Sequence, residues 1–143
     1  MNAEVLRHWA ERLCEIPSSR STTVLSVLGI QGSLVAHFND FLVEPPPPGT
    51  GSLRVSERSG ELFILELIPA GTAPVTPADL TPHFGPGRDV VRVHWQDPFP
   101  LCYRVELPGS PHYCDLFAYF PSPPAATTPA LRLTLRRQPS RPA

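Results

Sequence analysis

Prolines divide this chain into short segments and leave little room for long helices. Twenty of the 143 residues are proline, about three times the usual frequency. They cluster at 45–48, at 121–129 and near the C-terminus. Because proline lacks the backbone N–H that a helix interior or a β-ladder uses, these clusters are connectors. The segments between them are therefore expected to form short elements with frequent turns.

The N-terminal segment has the period of an amphipathic helix. Asn2 is a suitable N-cap, and Pro17 ends the pattern. Charged residues occupy one side, and the apolar residues recur at helical spacing on the other side. These apolar residues are Val5, Leu6, Trp9, Leu13 and Cys14.

Short β-branched and apolar runs separated by turn residues predict strands in the rest of the chain. Residues 33–43 fit either a helix or a strand with a bulge near Asn39 and Asp40, and we favour the strand. Residues 69–88 hold five prolines and predict a long loop with one short helical turn. The other predicted strands are 22–30, 52–57, 61–68, 89–95 (burying Val91, Val93 and Trp95), 101–107, 112–120 and 131–137.

These elements predict an α+β domain that is mainly antiparallel β. The N-terminal helix is expected to pack on a curved sheet or on a sandwich of seven to eight strands. Residues 1–137 fit a single globular domain, and residues 138–143 are expected to be a disordered tail. The end of the chain is basic, which is typical of a charged edge strand, through Arg132, Arg136, Arg137 and Arg141.

The predicted strands 101–107 and 112–120 form a hairpin whose register can be predicted from its turn. A two-residue loop at Gly109-Ser110 places Arg104 opposite Asp115, where the two side chains can form an ion pair. The same register places Cys102 and Cys114 on opposite faces of the sheet. We therefore expect free thiols rather than a disulfide between them.

The predicted strands 52–57 and 61–68 form another hairpin, and its register determines the environment of Glu66, the one acid in an apolar run. A two-residue loop ending at Gly60 would mix apolar and polar side chains on both faces, whereas a three-residue loop separates them. We therefore predict the three-residue loop, with Glu66 half-exposed near Arg54. Leu62 and Ile64 would then lie on the polar face and need a cover from outside the hairpin.

The composition argues against several classes of function. There is no lysine, so neither a Schiff-base lysine nor a P-loop lysine is present. The net charge of −1 gives no electrostatic case for nucleic acid or an anionic membrane as partner. No apolar run is long enough to span a membrane, and no signal peptide is visible. Three sparse cysteines do not suggest a disulfide scaffold, so we expect a cytoplasmic protein.

No motif identifies a catalytic, metal or cofactor site. The histidines and cysteines lack zinc-ligand spacing, and there is no nucleophile elbow or dinucleotide fingerprint. We therefore predict no catalytic residues, no metal and no cofactor. A hydrolase is a minor alternative, and it requires two or more of five side chains to converge in one cleft. The five are His37, Asp40, His94, His112 and Cys114.

The sequence favours a non-enzymatic protein-binding module, such as an adaptor, a chaperone or an immunity-type inhibitor. The strand at 112–120 is apolar on both faces, so a second layer, a partner protein or a second copy must cover it. The loop at 69–88 is a further candidate for partner contact. The predicted partner-binding residues are Tyr113, Phe117, Tyr119, Leu62, Ile64, His83 and Phe84.

A protein that binds a small apolar ligand is the second hypothesis. The β-layers would then enclose a pocket on the order of several hundred Å³. Its predicted lining includes Tyr103, Trp95 and Phe117.

Overall fold

The structure is a computed structural model that describes residues 1–139, and this part of the chain forms three helices and one eight-stranded antiparallel sheet. The sheet order is β1-β2-β3-β4-β8-β7-β6-β5, and the first helix packs on it, which confirms the predicted α+β class. The helices are α1 (Ala3–Glu15), α2 (Ser21–Val27) and α3 (Pro77–Phe84). The strands are β1 (Ser33–His37), β2 (Asp40–Glu44), β3 (Thr50–Arg58), β4 (Glu61–Pro69), β5 (Arg88–Asp89), β6 (Phe99–Glu106), β7 (His112–Phe120) and β8 (Arg132–Pro139).

Helix α1 forms as its sequence predicts. The Asn2 side chain accepts a hydrogen bond from the Val5 amide at 2.9 Å, which satisfies one of the free N–H groups at the helix start. Leu6, Trp9 and Leu13 are buried, and the helix packs mainly on β7. All three helices contribute to the same buried core, so they lie on one face of the sheet.

The predicted strand at 22–30 is wrong, because residues Ser21–Val27 form helix α2. A left-handed glycine, Gly29, ends this helix at φ 76°. The Ile30 amide donates to the Leu25 carbonyl at 2.9 Å, and the Gly29 amide donates to Ser26 at 3.0 Å. This pair of bonds is the Schellman termination. Burial of Val24 and Leu25 outweighs the weak helix preference of the β-branched residues here.

Residues 33–44 form a tight hairpin instead of one bulged strand. His37 pairs directly with Asp40, so the turn consists of Phe38 and Asn39, and Phe38 adopts φ 54°. The choice of strand over helix is therefore confirmed, but the bulge is wrong. The chain reverses through Phe38 in the left-handed region and Asn39, and Asp40 already belongs to β2.

The β3–β4 hairpin has the predicted separation of faces beyond Phe63, but its turn is different and Leu62 packs against the core. Ser59 and Gly60 form a two-residue loop, both with positive φ, so the predicted three-residue loop is wrong. A bulge at Phe63 then shifts the register by one residue between the turn and the middle of the strands. Beyond this bulge Arg54 lies directly opposite Glu66, and the core side of the hairpin is apolar.

The β6–β7 hairpin has the predicted register, but the predicted loop at Gly109-Ser110 is wrong, because the Ser110 amide donates to the Leu107 carbonyl at 3.1 Å and the turn centres on Pro108 and Gly109. Arg104 pairs with Asp115, Cys102 pairs with Phe117, and Cys114 lies on the opposite face from Cys102. The three cysteines are free and buried.

Strand β8 lies in the middle of the sheet, so its interpretation as an edge strand is wrong. It inserts between β4 and β7 and pairs with both. The tail is predicted from residue 138, whereas β8 continues to Pro139. The remainder of the tail, including Arg141, lies outside the described residues.

The segment predicted as a loop at 69–88 contains helix α3. Thr76 and Asp79 form a reciprocal capping box at its start, and Gly85 follows its end. Leu80 is fully buried, and Phe84 packs edge-on against Tyr103 with ring centroids 5.9 Å apart. The α3 helix therefore covers part of the core face of β6.

The predicted buried strand at 89–95 is wrong. Only Arg88 and Asp89 pair with β6, at one edge of the sheet, and the next residues leave the ladder. The backbone turns at 94–97, because the Asp97 carboxylate accepts from the His94 amide at 3.0 Å. Val91, Val93 and Trp95 are exposed as a result.

Candidate binding face

The sheet face opposite the helices, called the open face from here on, carries four of the seven predicted partner-binding residues. Tyr113, Phe117 and Tyr119 alternate along β7 and point away from the core residues Leu116 and Ala118 of the same strand. Ile64 of β4 lies opposite Ser56 on the same face. The helices of the described chain leave this face uncovered.

Two arginines of the open face, Arg104 and Arg54, are fixed by carboxylates of neighbouring strands. Arg104 binds Asp115 through two hydrogen bonds, of 2.8 and 3.1 Å, and Asp115 is only 5% exposed. The bonds to Asp115 raise the pKa of Arg104 above its already high normal value. Arg54 binds Glu66 at 2.9 Å and lies 3.5 Å from Asp40. The pairing of Glu66 with Arg54 is thus confirmed, but the Glu66 side chain is 18% exposed and not half-exposed as predicted.

Aromatic rings contact Arg104 and three further arginines of this part of the sheet. The Arg104 guanidinium lies 4.3 Å from the ring centroid of Tyr113, and Arg132 lies 4.3 Å from that of Tyr119. Phe63 receives two guanidinium groups, that of Arg58 at 3.6 Å and that of Arg136 at 4.5 Å. Such contacts hold a guanidinium flat on a ring and leave part of its N–H fork free to bind an acceptor.

Arg132 has hydrogen-bonding capacity that the described residues do not use. Its Nε lies 3.9 Å from the nearest oxygen of Glu66, which is too far for a hydrogen bond. No other described group accepts from this Nε. Glu66 is already bound to Arg54 at 2.9 Å. The Nε itself is buried, but the Arg132 side chain is 42% exposed, so the solvent-facing part of a guanidinium that lies over the Tyr119 ring can meet an external acceptor.

The other three predicted partner-binding residues lie elsewhere. Leu62 packs against the core because of the bulge at Phe63, so it is not on the polar face as predicted. Phe84 packs on Tyr103, and His83 is exposed on α3, on the helix-bearing side. The seven residues therefore do not form one surface. The arginines and Phe63 were not among them, although the alternating arginines of 131–137 are visible in the sequence.

The five residues of the hydrolase hypothesis do not converge in one cleft. His37 and Asp40 flank the β1–β2 turn, whereas Cys114 is on β7, four strand spacings or about 19 Å from β2. His94 lies in the loop beyond the opposite edge. Cys114 is fully buried on the core face, and this burial raises the pKa of its thiol. His112, at the start of β7, is the one candidate that lies near Cys114.

The three residues expected to line an apolar pocket are also separated. Tyr103 is buried on the core face, Phe117 is on the open face, and Trp95 is exposed in the loop after β5. A cleft of about 950 Å³ lies elsewhere, between the start of α1, the turn after α2 and the proline run. Its lining includes Val5, Trp9, Ile30 and 45–48.

Comparison with known proteins adds no functional information. No protein-family model matches the sequence, and no curated protein and no solved structure matches it either. Within residues 1–139, no three His, Cys, Asp or Glu side chains are grouped so that they could hold a metal ion. No helix in this part of the chain has the length and apolar character needed to cross a membrane.

Proposed function

We propose that the protein is a non-enzymatic protein-binding module that contacts its partner through the open face. The observation that carries this proposal is the state of Arg132, whose guanidinium lies over the Tyr119 ring while its side chain, 42% exposed, donates no hydrogen bond to a described residue. Arginine and tyrosine are enriched among the residues that dominate protein–protein binding energy. Positioning them before binding lowers the entropy cost of association.

The chemistry of the open face favours a partner surface that combines acidic and apolar groups. Arg136 and Arg132 offer N–H groups to carboxylates, and Phe117 and Ile64 offer apolar area between them. Nucleic acid fits less well, because Glu66 and Asp115 lie among the arginines and would repel phosphates. A protein can place acidic and apolar side chains side by side, so it suits this mixed surface.

The open face is preferred to the 69–88 segment as the contact surface. In that segment, Leu80 and Phe84 of α3 pack onto the core side of the domain, so their apolar area is already used. We infer an adaptor, a chaperone or an immunity-type inhibitor that works in the cytoplasm. The cytoplasmic assignment is supported by the three free, buried cysteines, because thiols stay reduced in that compartment.

The test compares proteins captured by wild type and by two matched double variants. Ile64→Ser with Arg136→Gln alters the open face, whereas Val27→Ser with Arg20→Gln makes the same exchanges on and beside α2. Circular dichroism and the unfolding midpoint confirm that each variant is folded. We expect one captured protein that the open-face variant loses and the α2 variant keeps, with binding that weakens as salt is added. Equal capture by both variants, or no saturable capture by wild type, would contradict the proposal.

A small apolar ligand is the second candidate function, now assigned to a different place. The cleft of about 950 Å³ beside Trp9 and Ile30 falls within the range of volumes known for ligand sites. The prolines of 45–48 form one wall, and their rigid rings would keep it open. Native mass spectrometry of the purified protein would show a stoichiometric adduct that disappears on denaturation. A spectrum with the bare chain mass alone would argue against this candidate.

A further inference from the structure

The loop at 90–98, called the edge loop here, is braced from inside although it lies outside the sheet. The Arg92 guanidinium donates to the carbonyls of Trp95 and Asp97, at 2.9 and 3.2 Å. It also lies 3.7 Å from the ring centroid of Phe99. The Asp97 amide donates to the His94 carbonyl at 3.0 Å and closes the turn. One arginine therefore holds the loop in a defined shape.

This braced loop displays three large apolar side chains to solvent. Val91 is 92% exposed, Val93 is 85% exposed and Trp95 is 80% exposed. Single exposed apolar residues are ordinary, but three in five residues of a fixed loop form a patch of the kind that marks an interaction site. Trp95 can contribute on the order of 150–250 Å² to an interface.

A groove of about 330 Å³ lies directly beside these side chains. It is lined by Val90, Val93, Pro98 and Pro100 from the loop and the start of β6, and by Phe117 and Tyr119 from β7. The projecting side chains and the apolar groove thus belong to the same patch. An interface with two-fold symmetry needs both in one patch, because each copy presents the same surface to the other.

The charges at this groove permit two copies to meet. Arg92 and Arg132 line it together with Asp97, so both signs are present. The net charge of the whole chain is −1, which gives little repulsion between copies. The patch lies at the β5 edge of the sheet, where no strand of the described chain covers it.

We propose that the edge loop and its groove form the contact of a two-fold homodimer, in which Trp95 and Val93 of each copy enter the groove of the other. This extends the proposed function, since the groove shares Phe117 and Tyr119 with the open face. The contact rests on a few side chains of one loop and its groove, so we expect a weak dimer that dissociates on dilution.

The test is sedimentation equilibrium of the full chain from ~1 to ~500 µM, a range that spans weak dimers. We expect the average mass to rise from 15.7 kDa toward twice that value. Val93→Asp and, separately, Trp95→Ser should weaken self-association about tenfold or more. Val27→Asp, an exposed valine exchanged on α2, should follow wild type.

Tryptophan fluorescence provides a second readout in the same samples. Trp95 is exposed and Trp9 is 4% exposed, so acrylamide quenches mainly Trp95 in the monomer. We expect quenching to fall as protein concentration rises, and not to fall in Val93→Asp. A wild-type mass of one chain throughout, association unaffected by either loop variant, or growth beyond two copies would overturn the dimer. The variant Ile64→Ser with Arg136→Gln tests the open-face proposal instead, so the dimer proposal and the open-face proposal can fail separately.

Discussion

The Arg137 guanidinium donates a 2.7 Å hydrogen bond to the backbone carbonyl of Ile16, and this bond joins two residues 121 positions apart. Ile16 is the residue that ends α1, so its carbonyl belongs to the negative end of the helix. Arg137 lies on the core face of β8, opposite Cys114. Partial burial there lowers its pKa, yet the group remains charged at any ordinary pH. The bond therefore connects the first helix to the last strand.

Replacing Arg137 with Met should destabilise the fold. Methionine keeps much of the apolar stem but leaves the Ile16 carbonyl without its charged donor. Hydrogen bonds to charged groups contribute about 1.5–3 kcal/mol to the free energy of unfolding. We expect a loss in that range by urea titration. Arg20→Gln, an exposed arginine beside α2, should change the free energy by less than about 0.5 kcal/mol. Equal effects of the two substitutions would show that the Ile16 contact contributes nothing specific.

Gly87 packs against the ring of Tyr103, so a larger residue should not fit. A Cβ at Gly87 would lie 2.8 Å from Cζ and 2.9 Å from the hydroxyl of Tyr103, which is 1% exposed and cannot move aside. We expect Gly87→Ala to lower the free energy of unfolding by about 1–3 kcal/mol. At Gly71 a Cβ would meet nothing within 4 Å. Gly71→Ala should therefore be neutral or stabilising by up to about 1 kcal/mol.

Tyr103→Phe tests the same contact from the other side. The Tyr103 hydroxyl is buried and has no hydrogen-bond partner among the described residues. Removing it should leave the free energy of unfolding unchanged or raise it by up to about 1 kcal/mol. In a double-mutant cycle, Tyr103→Phe should reduce the cost of Gly87→Ala, because one of the close contacts disappears. Strictly additive effects would mean that Gly87 matters for another reason.

The sequence predicts the pairing within a hairpin better than the turn itself, because facing side chains determine the pairing locally. Arg104 opposite Asp115 gives the β6–β7 register, although the turn centres on Pro108 and Gly109 and not on Gly109 and Ser110. In the β3–β4 hairpin the separation of faces is predicted correctly beyond Phe63, whereas the turn and the position of Leu62 are not. A bulge at Phe63 compensates for the shorter loop, and no local rule specifies where a bulge occurs.

Tertiary context decides the elements that the sequence predicts poorly. The β-branched residues of α2 predict a strand. The glycine at 29 with Ile30 after it is nevertheless the pattern of a helix C-cap, in which the Ile30 amide binds the Leu25 carbonyl. The position of β8 between β4 and β7 depends on contacts distant in sequence, so the open-face arginines could not be assigned to one surface. The prediction of a buried strand at 89–95 is wrong for the opposite reason. The apolar residues alternate as in a half-buried strand, but no neighbouring element of the described chain covers them.

The three cysteines should be unreactive in the folded protein. Cys14, Cys102 and Cys114 are all buried, and burial raises the pKa of the Cys14 thiol to about 11. A rise of two pKa units from 9.0 lowers the thiolate fraction roughly 100-fold at neutral pH. We expect an aromatic disulfide reagent at pH 8 to label all three thiols in denaturant and none in the native protein on the same timescale. Phe38→Cys places a thiol at an exposed turn and should react at once, as an internal control.

His112 should make stability fall as the pH drops below neutrality. Burial, followed by the charge of Arg137, lowers the pKa of His112 below its ordinary value of 6.5. Below pH 6.5 the unfolded chain therefore takes up a proton that the folded chain does not, and folding becomes less favourable until the folded-state pKa is reached. His112→Asn removes the imidazole that takes up this proton. The free energy of unfolding of this variant should therefore decline less than that of wild type between pH 7 and 5. Urea titrations at several pH values measure both slopes, with a nuclear magnetic resonance titration of the imidazole as the direct check. Parallel curves for wild type and His112→Asn would exclude His112 as the cause of any acid sensitivity.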